Sequence, residues 1–243
     1  EPHFINGEKD FYRLSAMDQV IISPGVNGRT PRFDRLREKG VPVISELEYA
    51  FRLSQAPWVA VTGTNGKSTT TALIHHLLET AGRDSVLCGN IGDPVISRIQ
   101  DLTSGKIGVV EVSSFQLEET VDFTPYVGLI LNITPDHLDR YPSVERYVEA
   151  KLNLGKNQDE RDFMILNRDD PVLMSHSDQI GPGQRMYFSW SDLGLEQGIQ
   201  IGEENLLVRI EGRQERIELS GNPLIGIHNR ENTAAAVLAA RVL

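Results

Sequence analysis

The chain is poor in the residues that staple, anchor or steer a protein towards nucleic acid. Cys88 is its one cysteine in 243 residues, so no internal disulfide can close. No CxxC pair or Cys/His cluster offers zinc ligands, and a reducing cytoplasm is the compartment expected. The longest apolar stretches, around Tyr126 to Ile133 and Ala234 to Leu243, fall short of the roughly 20 residues that a membrane span needs. No membrane partner is therefore expected. Basic runs are missing too: 24 Lys and Arg stand against 34 Asp and Glu, a formal charge of −10, which repels a polyphosphate backbone and argues against nucleic acid. The opening Glu1-Pro-His-Phe4 has no initiator Met, basic stretch or apolar stretch of a signal peptide, and reads as a chain entered in mid-sequence. What remains is an ordinary globular balance, 40% hydrophobic and 24% charged, at a length that suggests one full domain plus part of another.

The pattern along the chain is mainly β and α in alternation. Asp18 to Ser23 reads as a short buried strand closed by the turn Pro24-Gly25, followed by a helix at Arg32 to Lys39, a strand at Val41 to Ile44 and a helix at Glu46 to Leu53. At Pro57 the pattern restarts. Trp58 to Thr62 is an apolar strand running into Gly63-Thr-Asn-Gly66 and a helix from Lys67 to Ala81. Further strands are expected at Ser85 to Leu87, Ile107 to Val112, Val127 to Ile133 and Phe163 to Leu166, with helical spacing between most of them. Continuous apolar strands between helices imply a largely parallel sheet covered on both faces. From about Arg185 short strands joined by polar turns suggest antiparallel ribbons, and a last helix begins near Arg230. The fold class expected is α/β: a central P-loop-type ATPase domain, 57–243, with a mostly parallel sheet and a small antiparallel ribbon region, preceded by a partial Rossmann-like domain, 1–56.

Thr62-Gly-Thr-Asn-Gly-Lys-Ser68 lies between a buried strand and a helix N-terminus. There several backbone N–H groups converge on phosphate oxygens with help from the helix dipole. Gly63, Thr64, Asn65 and Gly66 form the cradle, Lys67 reaches the β- and γ-phosphates, Ser68 binds the nucleotide's magnesium, and Thr69 completes the first turn. The generic P-loop pattern wants a glycine where Val61 stands.

Other candidates are open on residue type alone. Glu111 ends an apolar strand, where doubly wound sheets place ligands, and is either a magnesium ligand or a solvated terminus. His137, in Asp136-His-Leu-Asp139, is by itself more often structural, with Asp136 and Asp139 as local caps. Lys151 has the plain reading of a solvated helix lysine. Asn229 and Asn232, in Gly226-Ile-His-Asn-Arg-Glu-Asn232, have the donor and acceptor groups that adenine presents, although Asn229 also suits an N-cap.

Taken together, the loop, Glu111-Val-Ser-Ser-Phe-Gln-Leu117, Leu131-Asn-Ile-Thr-Pro-Asp-His-Leu-Asp-Arg-Tyr141 and the segment around His228, Asn229 and Asn232 resemble the Mur ligase superfamily from about Asp18 to the end. With Gly89-Asn-Ile-Gly92, the wording is similar to the branch that joins D-glutamate to UDP-N-acetylmuramoyl-L-alanine. The diaminopimelate- or lysine-adding branch, which more typically has Ser-Ser-His in place of Ser-Ser-Phe-Gln, is the runner-up. A nucleotide-binding module without catalysis is the reading from another class.

The resemblance implies an ATP-dependent, ADP-forming amide ligase of cell-wall precursor synthesis, working through an acyl phosphate. It implies two Mg2+ sites, one from Ser68 and Glu111 and a second from His137 with a carbamylated Lys151, and catalytic roles for Lys67, His137 and Lys151. It also places Asn229 and Asn232 by adenine, and Ser23, Gly25, Asn90, Ser113 and Gln116 by the UDP-muramoyl substrate. A monomer is expected. The first part of the uridine-binding domain is expected before Glu1 and the D-glutamate-capturing domain after Leu243, so the 243 residues alone are expected not to form the amide.

Overall fold

Short apolar triplets have too little surface to stand alone and must pair. The computed structural model describes residues 11–134, 140–194, 196–221, 224 and 226–243, and in it Val20–Ile22 (β1) lies parallel to Val43–Ser45 (β2) as a two-stranded sheet. Pro31–Glu38 (α1) joins the pair and buries Phe33 and Leu36 against it. Glu46–Leu53 (α2) follows, capped by the Ser45 hydroxyl, which accepts from Glu48 N–H at 3.2 Å. Leu47 and Ala50 of this helix pack into the same core as Trp58.

Trp58–Thr62 (β3) is buried at all five positions. Alternate side chains of a strand face opposite sides, so it needs cover on both. Val59 and Val61 meet the layer built by Lys67–Thr80 (α3), whose Ile74 and Leu78 point inward. Trp58 and Ala60 meet the layer that contains α2. The chain then runs through Ser85–Gly89 (β4), Ile107–Glu111 (β5), the single turn Ser114–Leu117 (α4), Val127–Ile130 (β6), Val144–Leu152 (α5), Phe163–Asn167 (β7) and Pro171–Ser175 (α6). Gln184–Ser189 (β8), Gly198–Ile201 (β9), Asn205–Ile210 (β10) and Arg213–Glu218 (β11) complete the strands. Ile227–Arg241 (α7) closes the α3 layer with a run of buried alanines, Ala234, Ala235, Ala236 and Ala239, small enough to lie close to the sheet.

Nine strands form one sheet in the order β11-β10-β9-β8-β7-β6-β3-β5-β4. Pairing is parallel from β4 to β9 and antiparallel across β9, β10 and β11. The expectation of antiparallel ribbons from Arg185 therefore needs correction: β8 runs parallel to β7, and β9 to β8. The reason lies in burial. Met186 and Phe188 enter the same apolar layer as Val59 and Ile165, as an interior parallel strand requires, whereas five of the six β11 residues are exposed. A short polar connection looks alike in sequence whether it returns the chain or carries it across. The last helix also starts earlier than Arg230, at Ile227 after Gly226. Among the described residues no helix is long and apolar enough to cross a membrane.

Succession along the sheet reverses at β3: the chain leaves it for the β4 edge, returns to β5, then crosses to β6. A crevice opens outside the carboxyl ends of strands at such a switch point. The segments after β3, β5 and β6 all end there.

Candidate active site at the carboxyl ends of β3, β5 and β6

The segment 63–66 turns sharply between β3 and α3. Gly66 has φ of 85°, a left-handed conformation costly for other residues, and a side chain at this position would collide with the Asn232 amide oxygen. The backbone conformation favours glycine here, and any side chain would also have to displace the Asn232 amide. Asn132, just beyond β6, braces the loop from outside. Its Oδ1 accepts from the N–H groups of Thr64 and Asn65 at 3.0 and 2.8 Å, and its Nδ2 donates to the Asn65 carbonyl at 3.0 Å. Thr64 Oγ1 lies 3.0 Å from the Tyr147 hydroxyl of α5 and donates to the Thr134 carbonyl at 3.1 Å.

Lys67 folds back over the loop and donates to the carbonyls of Gly63 and Thr64 at 3.1 and 2.8 Å. Its ammonium is thereby held at the helix N-terminus, where backbone dipoles favour an anion. Lys151 is 2% exposed, far from a solvated helix lysine. It donates to the Gly63 carbonyl at 2.8 Å, with its nitrogen 4.6 Å from the centre of the Tyr147 ring. Two lysines from helices far apart in sequence therefore converge on one loop carbonyl.

Ser68 Oγ donates to Glu111 Oε2 at 2.7 Å, and Asn90 Nδ2 donates to Glu111 Oε1 at 2.8 Å. Glu111 is 2% exposed, so its two oxygens are aimed by these partners. Carboxylate and hydroxyl oxygens are the donors a hard cation such as magnesium takes, with substrate phosphates filling the rest of its shell. The pair fits that metal. Among the described residues no group of three or more His, Cys, Asp and Glu gathers that could hold a metal ion by itself.

The remaining candidates separate into groups. Thr70 Oγ1 donates to Asn232 Oδ1 at 3.3 Å, and Asn232 Nδ2 reaches Asn229 Oδ1 at 3.5 Å. This places both asparagines of α7 beside the start of α3. Asn229 is the third residue of α7 and not its N-cap, which is Gly226. Thr69 is half-buried in the first turn of α3. Ser113 and Gln116 are bound to each other: the Ser113 hydroxyl caps α4 and Gln116 Oε1 accepts from Ser113 N–H at 2.9 Å. That capping box accounts for both residue types without a ligand. Ser23 and Gly25 sit exposed on the turn after β1, closed by Val26 N–H to the Ser23 carbonyl at 2.9 Å. His137, with Asp136 and Asp139, lies outside the described residues.

Asn132 and Tyr147 were not among the residues expected at the site. Asn132 carried a signal, being the first polar residue after an apolar strand. Tyr147 carried none, since a tyrosine on a helix is usually core. Near the site, burial pushes the Tyr141 hydroxyl well above the usual tyrosine range. Burial likewise pushes up the carboxyls of Glu118 and Glu119, opposed by arginines beside them. Cys88, buried on β4, has its thiol pushed up to about 12 by desolvation.

The model of the Mur ligase middle domain matches residues 61–240. The UDP-N-acetylmuramoylalanine–D-glutamate ligase of Alkaliphilus metalliredigens is 41% identical over 233 residues, 95% of this chain and 50% of that protein. The ligase of the same name from Trichlorobacter lovleyi is 41% identical over 244 residues, 99% and 53%. The chain spans about half the length of the curated relatives it matches. Among solved structures, the UDP-N-acetylmuramate:L-alanyl-gamma-D-glutamyl-meso-diaminopimelate ligase from Neisseria meningitides superposes with a TM-score of 0.62 at 19% identity, over 96% of this chain and 76% of that one. The MurF ligase from Thermotoga maritima, in complex with ADP, does so with 0.59 at 18%, over 93% and 61%. At such identity these two matches speak for the fold.

Proposed function

The chain belongs to the Mur ligase family, and from that premise we propose that it is the ATP- and magnesium-binding core of the cytoplasmic, monomeric enzyme that adds D-glutamate to UDP-N-acetylmuramoyl-L-alanine. Residues 1–56 are read as the end of the domain that holds the UDP-substrate and 57–243 as the central domain, with the D-glutamate site on another domain. The observation that carries the reading is the meeting of Lys67, Ser68, Glu111, Asn90 and Lys151 around one loop at the switch point of the sheet. The D-glutamate specificity is supported by the curated relatives named above.

In this reading ATP phosphorylates the alanyl carboxylate, and the amine of D-glutamate displaces phosphate from the resulting acyl phosphate. Lys67 exchanges its two loop carbonyls for phosphate oxygens and, with the loop N–H groups, stabilises charge on the phosphoryl group in flight. Ser68 and Glu111 would hold one magnesium, and His137 with a carbamylated Lys151 would hold a second. Magnesium supplies neutralisation of phosphate charge when bound. Asn90 keeps the Glu111 carboxylate turned towards Ser68. Asn229 and Asn232 serve the adenine side, while Ser23 and Gly25 meet the UDP-muramoyl substrate and Asn90, Ser113 and Gln116 lie near it. No side chain acts as a covalent nucleophile.

The test is phosphate release by the full-length enzyme containing this chain, supplied with ATP, magnesium, UDP-N-acetylmuramoyl-L-alanine and one amino acid at a time. Release that depends on D-glutamate is expected. Equal release with diaminopimelate or lysine, or none with any amino acid, would overturn the assignment. Carbamylation is read separately: a carbamate carbon resonance with labelled bicarbonate is expected for the native enzyme and should vanish in Lys151→Ala.

A further inference from the structure

Arg140 is the first described residue after Thr134, in the connection between β6 and α5, and its guanidinium reaches the turn after β1. It donates to the carbonyls of Pro24 and Val26 at 3.1 and 3.3 Å, which are the two residues flanking Gly25. The same group lies 3.5 Å from Glu118 and stacks 3.8 Å above the ring of Phe115. A planar fork with several fixed donors can bridge two carbonyls, a carboxylate and an aromatic face at once, which a lysine cannot.

Two features show that the chain just after the turn, at Gly28, is pressed against Glu119. Gly28 approaches the Glu119 carboxylate so closely that a side-chain carbon would lie 2.7 Å from it. Arg37 donates to the Gly28 carbonyl at 3.0 Å and to Glu119 at 2.6 Å, clamping the same loop from its other end. Behind Arg140 a continuous aromatic column leads to the phosphate loop. Phe115 stacks on Tyr141 at 5.7 Å, Tyr141 meets Tyr147 edge-on at 5.3 Å, and the Tyr147 hydroxyl lies 3.0 Å from Thr64 Oγ1.

We propose that Arg140 is a positioning residue that fixes the turn 23–26 relative to the phosphate loop, and thereby sets affinity for the UDP-sugar substrate rather than for ATP. This rests on the reading above that the turn meets that substrate. Arg140 touches backbone carbonyls of the turn and no phosphate-loop atom directly. Its loss therefore frees the turn while Asn132 and Tyr147 continue to brace the loop.

The experiment is calorimetric titration of full-length wild type, Arg140→Ala and Arg140→Lys with UDP-N-acetylmuramoyl-L-alanine and, separately, with a non-hydrolysable ATP analogue plus magnesium. Amide exchange at Val26 is followed in the same samples. The alanine variant should bind the UDP-sugar at least about tenfold more weakly and the ATP analogue within about twofold of wild type, as loss of two charge-assisted hydrogen bonds implies. Val26 exchange should quicken and Lys should restore part of the affinity. UDP-sugar affinity within about twofold of wild type, or a parallel fall for both ligands, would overturn the inference. Should Arg140→Ala fail to fold, Arg140→Lys decides: an intermediate loss confined to the UDP-sugar supports the role, and wild-type affinity refutes it. Wild type that binds the ATP analogue but not the UDP-sugar would overturn the functional reading itself and the inference with it.

Discussion

The crevice around the phosphate loop and the outer hairpin of β10 and β11 belong to one sheet but use polar residues in opposite ways. At the crevice, side-chain bonds join residues far apart in sequence, Ser68 to Glu111, Thr64 to Asn132 and Lys151 to Gly63, and several of these groups are buried. On the hairpin the pairs lie in water whether their partners are near or far in sequence: Arg216 with Glu218, Arg209 with Gln214 and Asp192, and Glu215 with Arg241. Burial removes solvent as an alternative partner, so the buried crevice bonds, Lys151 to Gly63 above all, are costly to break and their geometry is fixed. The hairpin groups lose little when a partner goes, because water replaces it. Polar residues report on function where the fold has isolated them from solvent and brought them together over long loops.

The largest expected break in this contrast is Lys67→Ala. On the functional reading, removing the donor that meets the transferring phosphoryl group should lower turnover by about 10³-fold, the size seen for loss of one preorganised charge-stabilising donor. Thermal stability should stay near that of the wild type, since the bonds its ammonium makes to the Gly63 and Thr64 carbonyls fall within its own loop. Phosphate release and a melting curve on the same sample check both halves.

A second substitution tests whether burial alone, without proximity to the crevice, produces the same cost. Glu48 is fully buried on α2 and accepts from the N–H groups of Val121, Asp122 and Phe123 at 2.9, 3.0 and 3.0 Å, besides Arg52 at 2.7 Å. Glu48→Ala orphans three backbone donors and leaves Arg52 with Asp122 alone at 2.9 Å, and should destabilise by about 3 to 5 kcal/mol. Affinity for a magnesium–ATP analogue should change little in the fraction that remains folded. A denaturant titration beside a binding titration separates these effects.

Much of this division was legible in the sequence, and what escaped it has a physical pattern. The strand–glycine–helix unit at Trp58 to Thr80 could be read because local constraints define it: an apolar strand, a tight turn and a helix start. Glu111 stood open between a magnesium ligand and a solvated terminus, because a charge ending an apolar strand does not say which side chains will face it. Lys151 looked solvated on residue type because nothing local says which face of α5 is covered; that depends on the Gly63 loop reaching it from 88 positions earlier. Asn132 and Tyr147 were missed for the same reason, since each acts on a loop about 70 or more positions earlier in the chain. Gln116 was assigned to the substrate by resemblance, while its bonds go to its own helix end. The parallel pairing of β8 and β9 escaped because strand direction is set by where the connection lands, which composition does not encode.

A smaller effect is expected inside the crevice at Asn132. Asn132→Ala leaves the N–H groups of Thr64 and Asn65 without their amide partner, although the Asn132 main-chain carbonyl still accepts from Thr64 at 3.0 Å. With Asn65 exposed, water can replace part of what is lost, so the cost should be about 1 to 2 kcal/mol. ATP-analogue affinity should weaken by about tenfold as the loop loses its preset shape. Unchanged affinity would mean that the strand and helix flanks alone hold the loop.

The smallest effect belongs to the hairpin and is the sharpest test of the contrast, because it predicts near silence. Arg216 and Glu218 are among the exposed residues of β11, the edge strand of the sheet, and their ion pair at 2.8 Å links side chains 62% and 57% exposed. Arg216→Ala should move unfolding free energy by no more than about 0.5 kcal/mol, and ATP-analogue affinity should be unaltered. The charges have a different use at an edge. An open strand offers unpaired backbone groups to other chains, and arginine and glutamate on it discourage that pairing. Replacing Arg213, Arg216 and Glu218 together by threonine should therefore leave the fold nearly as stable while raising light scattering at high concentration. A loss of several kcal/mol on the single substitution would show that the hairpin is bound into the same long-range network as the crevice.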